Sequence, residues 1–132
     1  MNDTDDTIVV TGGAGFIGSN LISSLNNNGF TNIVLSDYFV NGKQVSNVNG
    51  LQINDFVPPD DLCSYIKNNH VDKIFHLGAC SDTTEWNGEY MLKKNFSFSK
   101  SLLHACVLKK IPFVYASSAS VYGLNKKSKE NP

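Results

Sequence analysis

Missing from this chain is any run of eighteen uninterrupted apolar residues, the least a membrane-spanning helix needs. Its opening, MNDTDDTIVV, is acidic where a secretory signal would place positive charge before a longer apolar stretch. Both features point to the cytoplasm and away from a membrane partner. Cys63, Cys80 and Cys106 are odd in number and widely spaced, with no CxxC and no Cys/His ligand spacing. That pattern suits reduced thiols and argues against a disulfide framework or a bound metal. His70, His76 and His104 are equally scattered and read as surface or packing residues. A charge excess is lacking as well: 11 Lys and Arg against 12 Asp and Glu leave a net charge of -1. Such a field is too weak to gather nucleic acid. The lysine group 126, 127 and 129, among Ser and Asn, reads as a solvated tail. No segment repeats at a fixed period, which argues against a solenoid.

What is present is apolar material for one core: 132 residues, 41% hydrophobic and 17% charged. Ile8, Val9 and Val10 form an apolar run ending at Thr11. TGGAGFIG follows, and then Ile17, Leu21, Ile22 and Leu25 fall on one face of a helical wheel. Gly29 is a helix terminator, and NIVLSD reads as a second buried strand. From Tyr38 to Asn49 the pattern is a loop with room for a short helix. LQIND gives a short third strand, and Asp60 or Asp61 is placed to cap a helix reaching Asn69. VDKIFHLGA is the fourth strand. Leu92, Phe96, Leu103 and Cys106 then mark a long helix that Pro112 ends, and FVYAS is a fifth buried strand. Alternating strands and helices of these lengths imply right-handed crossovers and a doubly wound α/β parallel sheet, Rossmann-type, with helices on both faces. Ligands of such sheets sit beyond the carboxyl ends of the strands. Gly12, Asp37, Asp55, Gly78 and Ser117 are therefore expected on one rim.

Gly12, Gly13, Gly15 and Gly18 satisfy both G-x-G-x-x-G and G-x-x-G-x-x-G. Alone this is a weak signal. Between a strand and an amphipathic helix it gains meaning, because glycines permit the tight turn and let backbone N–H groups approach a pyrophosphate. The helix N-terminus adds about half a positive charge. Asp37 comes 19 residues after Gly18, near the spacing of about 20 at which a carboxylate accepts from the adenosine ribose. A turn or capping role for Asp37 is the competing reading. A carboxylate there favours NAD over NADP, whereas Lys43 offers charge for a 2′-phosphate, so both cofactors stay open. Asp55 is a candidate for the adenine amino group, or else an exposed loop aspartate.

TGGAGFIG, a strand-end Asp, "HLGA" and "SSASVYG", in that order, resemble the extended short-chain dehydrogenase/reductase family, which modifies nucleotide sugars. The resemblance runs from Ile8 to Gly123. "GACSDTTEWNGEYML" and "SKSLLHACVLKKIPFVYASSASVYG" narrow it to the branch that inverts a centre of a nucleotide-linked heptose. It implies that Phe16 and Ile17 flank the pyrophosphate and that Asp37 with Tyr38 lines the ribose. Leu77, Gly78, Ala79, Cys80 and Ser81 would border the nicotinamide. Asn95 would contact the cofactor region, although a helix asparagine serves equally well as a structural hydrogen bonder. Ser81, Thr83, Thr84 and Glu85 would face the sugar, with a helix-capping cluster as the alternative. Ser118 takes the place of the catalytic serine, with Ser117 and Ser120 in the same turn.

The resemblance further implies a nucleotide-sugar substrate, hydride removal from C6″ and its return to the opposite face, and self-association of the complete enzyme as a homo-oligomer. In that family the general base is a helical Tyr with Lys one turn later. Tyr122 and Lys126 have the spacing, but Gly123 and Asn125 lie between them, no apolar stripe follows, and Tyr122 is only four residues past Ser118. The pair reads as a decoy. The expected layout is a dinucleotide-binding domain over 1–124 and a flexible tail over 125–132, with the carboxy-terminal substrate domain absent. Other nucleotide-sugar 4-epimerases or 4,6-dehydratases, and a non-catalytic dinucleotide-binding module, are the alternatives.

Overall fold

The computed structural model describes residues 3–79 and 86–118. Five parallel strands form one sheet in the order β3-β2-β1-β4-β5. They are β1 (Ile8–Thr11), β2 (Ile33–Ser36), β3 (Asp55–Phe56), β4 (Lys73–His76) and β5 (Phe113–Tyr115). The helices are α1 (Phe16–Asn27), α2 (Gly42–Val48), α3 (Pro59–Asn68), α4 (Gly88–Leu92) and α5 (Phe98–Lys109), with a π-helical segment, Lys93–Ser97, joining α4 to α5.

Side-chain alternation along β1 and β2 divides the core in two. Val9 and Val34 face Leu62 and Ile66 of α3 and Leu102, Ala105 and Cys106 of α5. Ile8, Val10, Ile33 and Leu35 face Ile22, Leu21 and Leu25 of α1. All four residues of β1 and all four of β2 are buried, as continuous apolar strands covered on both faces should be. The doubly wound α/β sheet expected from the alternation is the fold observed. From β1 the chain builds outward to β2 and β3, then returns across to β4 on the other side. The strand order therefore reverses at the β1/β4 junction, where such sheets open a crevice. Register aligns Ser36, Thr11, His76 and Tyr115 as one row along the carboxyl rim.

Several local features differ from the sequence reading. β3 is two residues long, because Asn26 of α1 takes both backbone groups of Gln52 (2.8 and 3.0 Å) in place of a strand partner. Asp55 consequently opens β3 opposite Val34 instead of following the strand. Pro58 occupies the N-cap of α3, with Asp60 and Asp61 inside its first turn, where they complement the helix dipole. Lys110, in the left-handed region (φ 58°), ends α5 before Pro112 is reached; the Ile111 N–H closes the turn on the Cys106 carbonyl. β5 is an edge strand of the described sheet, and Val114 and Tyr115 are exposed instead of buried. Of the helical positions expected inward, Cys106 is buried, whereas Leu92, Phe96 and Leu103 are exposed. Gly29 (φ 89°) terminates α1 as expected.

Leu62 is fully buried between the sheet and α5, and Val45 on α2 is exposed. Leu62→Ala is expected to lower the unfolding free energy by about 2–5 kcal/mol in urea titrations. Val45→Ala should change it by less than about 0.5 kcal/mol. Equal responses at the two positions would contradict this division of core and surface.

Candidate functional site

At the β1/β4 junction a cavity of about 490 Å³ opens beyond the strand ends. Its floor is backbone. Gly12 (φ 67°) lies so close to Gly78 that an added Cβ would stand 2.7 Å from the Gly78 nitrogen. A Cβ on Gly18 would run into the Gly12 carbonyl. Only glycine fits at both positions, and the turn therefore brings the amino end of α1 against the cavity. Gly15 is the N-cap of α1 and supplies no side-chain cap. The first-turn N–H groups of a helix have no intrahelical acceptor, and Gly15, Phe16, Ile17 and Gly18 line the cavity. An arrangement of this kind is a cradle that could hold an anion such as a pyrophosphate.

Asp37 has two tasks in holding that cradle. Its Oδ2 accepts from the Ala14 N–H at 2.9 Å and its Oδ1 from the Tyr38 N–H at 2.7 Å. Asn47 of α2 donates to the Ala14 carbonyl at 2.9 Å, so β2 and α2 together fix the glycine turn. Gln44, in a capping box with Asn41, donates to the Tyr38 carbonyl at 2.8 Å and accepts from Val40 N–H at 2.6 Å. These contacts make α2 the outer wall of the site. Ser36 adds a buried hydroxyl with no hydrogen-bond partner among the described residues, on the cavity lining. An orphaned donor there, beside an uncapped helix end and a glycine floor, fits a polar ligand such as a dinucleotide.

The Tyr38 hydroxyl donates to Asp60 at 3.0 Å. Burial, reinforced by the Asp60 carboxylate, pushes its pKa up to about 12. The Lys94 ammonium sits 3.0 Å from the centre of the Tyr38 ring. On the other wall, Gly78 N–H donates to Thr11 Oγ1 at 3.1 Å, Thr11 Oγ1 meets His76 Nδ1 at 2.6 Å, and His76 Nε2 meets Ser99 Oγ at 2.7 Å. The chain is satisfied when Thr11 donates to Nδ1 and the neutral imidazole donates from Nε2. Burial holds the His76 pKa below its ordinary value. His76 is thus a link between the strand rim and α5, a more specific role than the packing one read from its scattered position.

Of the residues singled out in the sequence, Gly12, Gly15, Phe16, Ile17, Gly18, Asp37, Tyr38, Leu77, Gly78 and Ala79 line this one cavity. Gly13 is buried beneath it, against Leu35 and Ile22. Lys43, Asp55, Asn95 and Ser118 are exposed and are not among the lining residues. Asp55 falls short of the rim because it pairs two residues below Ser36, and Lys43 sits in the first turn of α2, where its N–H is capped by Asn41. Cys80, Ser81, Thr83, Thr84, Glu85, Ser120, Tyr122 and Lys126 lie outside the described residues. Among the described residues no group of three or more His, Cys, Asp or Glu is placed to hold a metal, and no helix is long and apolar enough to cross a membrane. Thr11, Ser36, Gln44 and Lys94 were not foreseen. For Thr11 and Ser36 the signal was available: a hydroxyl ending an otherwise apolar buried strand.

The profile of the NAD dependent epimerase/dehydratase family matches residues 8–132. The chain belongs to that family. Within it, the chain is 46% identical over 129 residues to an ADP-L-glycero-D-manno-heptose-6-epimerase of Alkalilimnicola ehrlichii, covering 95% of this chain and 40% of the relative. It is 49% identical over 121 residues to one of Brachyspira hyodysenteriae, covering 88% and 38%. The chain therefore spans about 40% of the length of these curated relatives. Among solved structures, the Helicobacter pylori ADP-L-glycero-D-manno-heptose-6-epimerase superposes with a TM-score of 0.81 at 33% identity, over 98% of this chain and 45% of that one. A Bacillus cereus UDP-glucuronic acid 4-epimerase in complex with NAD gives 0.70 at 28% identity, over 90% and 42%.

His76 supplies a pH test of the site wall. A histidine whose folded pKa is depressed costs stability only where the unfolded chain takes up a proton that the folded one refuses. Stability should therefore decline as pH falls from about 6.5, the unperturbed histidine value, toward the lower folded pKa. Urea titrations at pH 7.5 and 5 should show that decline, and His76→Gln should flatten it. Asp72, whose carboxyl is held low chiefly by the Thr7 N–H, contributes only in a more acidic window. An unchanged slope in His76→Gln would contradict the buried neutral imidazole.

Proposed function

We propose that this chain forms the cofactor-binding part of a nucleotide-sugar epimerase, whose complete form inverts C6″ of ADP-D-glycero-D-manno-heptose. The observation that carries the reading is the uncapped amino end of α1 behind a turn in which Gly12 and Gly18 admit no side chain. The heptose branch is favoured by the 46% and 49% identities to ADP-L-glycero-D-manno-heptose-6-epimerases. The nucleotide is NAD or NADP, and when bound its nicotinamide supplies a reversible hydride acceptor.

Each part of the chain has a defined task in this reading. The amides of Phe16, Ile17 and Gly18 bind the pyrophosphate, with Gly13 and Gly15 giving the turn its close approach. Asp37 keeps lone pairs for the ribose hydroxyls while its other contacts hold the turn. Leu77, Gly78 and Ala79, with Cys80, form the small and apolar wall against the nicotinamide. Ser81, Thr83, Thr84 and Glu85 take the sugar, and Ser118 orients the reacting hydroxyl for proton transfer. Asn95 and Asp55 lie outside the cavity lining and are given no cofactor contact in this reading. The base is a Tyr/Lys pair other than Tyr122 and Lys126, so the present chain binds cofactor without turnover. The complete enzyme works in the cytoplasm and self-associates.

Calorimetry on this chain should show saturable binding of NAD, NADP or both. Asp37→Ala should weaken it about tenfold, the scale of a lost hydrogen bond to a charged group. No heat with either nucleotide would contradict the cofactor reading. With the heptose nucleotide added, no epimerisation is expected; turnover that Tyr122→Phe abolishes would contradict the assignment of Tyr122 as a bystander.

A further inference from the structure

The cation at this site comes from an unexpected element. Lys43, the basic residue nearest Asp37 in sequence, does not line the cavity; Lys94, from the π-helical segment across the crevice, does. Its ammonium lies 3.0 Å from the centre of the Tyr38 ring and 5.7 Å from that of Tyr90. Tyr38 follows Asp37 at the end of β2, and its hydroxyl is tethered to Asp60 at the start of α3. Lys94 therefore reaches from the β4 side of the crevice to the β2 side, over the space where a dinucleotide would lie. π-helical turns are uncommon and shift the phase of the helix that follows; this one carries the lysine at its second position.

Resting on the dinucleotide reading, we propose that Lys94 is a phosphate-binding residue of this site, stored on the Tyr38 ring when no nucleotide is bound and transferred to a nucleotide phosphate when one enters. A charge-assisted hydrogen bond to a phosphate oxygen is stronger than a cation–π contact at a partly exposed site. Leaving the ring also clears the Tyr38 face that the ammonium covers. The phosphate is either the 5′-diphosphate or the 2′-phosphate. In the second case Lys94 offsets the carboxylate of Asp37 and permits NADP.

The test measures affinities of adenosine, 5′-ADP and 2′,5′-ADP for the full chain and for Lys94→Met and Lys94→Arg. Lys94→Met keeps most of the apolar stem and should weaken at least one phosphorylated ligand about tenfold while leaving adenosine unchanged. Lys94→Arg should retain most of the affinity. A loss confined to 2′,5′-ADP identifies the 2′-phosphate, and a loss shared with 5′-ADP identifies the diphosphate; either supports the proposal. In the unmutated chain the Lys94 ε-methylene protons should be shifted upfield by the Tyr38 ring and move downfield when 5′-ADP or 2′,5′-ADP is added. Unchanged phosphorylated-ligand affinity in Lys94→Met, or an equal loss for adenosine, would overturn the role of Lys94 alone. Failure of every nucleotide to bind the unmutated chain would overturn the dinucleotide reading and this proposal with it.

Discussion

Everything at the carboxyl rim depends on how closely two stretches of backbone approach. Where the strand order reverses, Gly12 meets Gly78 at a separation that leaves no room for a Cβ, and Gly18 packs against the Gly12 carbonyl. That approach sets the direction of α1, and with it the position of the unpaired N–H groups of the first helical turn. The register row Ser36, Thr11 and His76 supports the same point from below. Burial of Val9, Val10, Val34 and Leu35 on both faces of the sheet keeps the floor from moving. The anion cradle is thus a property of the sheet as a whole, expressed at one turn.

Polar contacts hold the cradle from three sides. Asp37 and Asn47 fix Ala14, Gln44 fixes the backbone of Tyr38 and Val40, and Thr11 fixes Gly78 through the hydroxyl it shares with His76. Most of these are side chain to backbone, which suits a segment whose own peptide groups cannot all join the sheet. A carboxylate at the end of β2 reads as a ribose ligand, and the contacts the structure shows are those of the competing turn role, to the Ala14 and Tyr38 N–H groups; under the proposed function the same side chain would do both.

How much of this was visible in the sequence follows from what each element relies on. β1, β2 and α1 were legible because their patterns are dictated by burial: apolar runs for strands covered on both faces, and a helical stripe of Leu21, Ile22 and Leu25 ended by Gly29. Ile17, expected on that stripe, is exposed at the cavity, and in β4 only Ile74 and His76 are buried. The glycine turn and Asp37 were legible because few residue types fit those positions. β3 was overextended because Leu51 and Ile53 are apolar for packing against the α1 face, while Asn26 satisfies the backbone between them. α2 was scarcely visible, since none of its residues is buried and its stability lies in the Asn41–Gln44 capping box. Lys94 could not be placed from sequence: its position depends on a π-helical phase shift and on a tyrosine 56 residues earlier.

The most direct measurement of the central claim is a backbone amide NMR titration of this chain with NAD. Binding at the proposed cradle predicts the largest shift changes at Gly13, Gly15, Phe16, Ile17 and Gly18, with smaller ones at Ser36 and Gly78. Saturable changes centred instead at the opposite end of the sheet, around His70, Lys109 and Lys110, with the glycine turn unaffected, would contradict it.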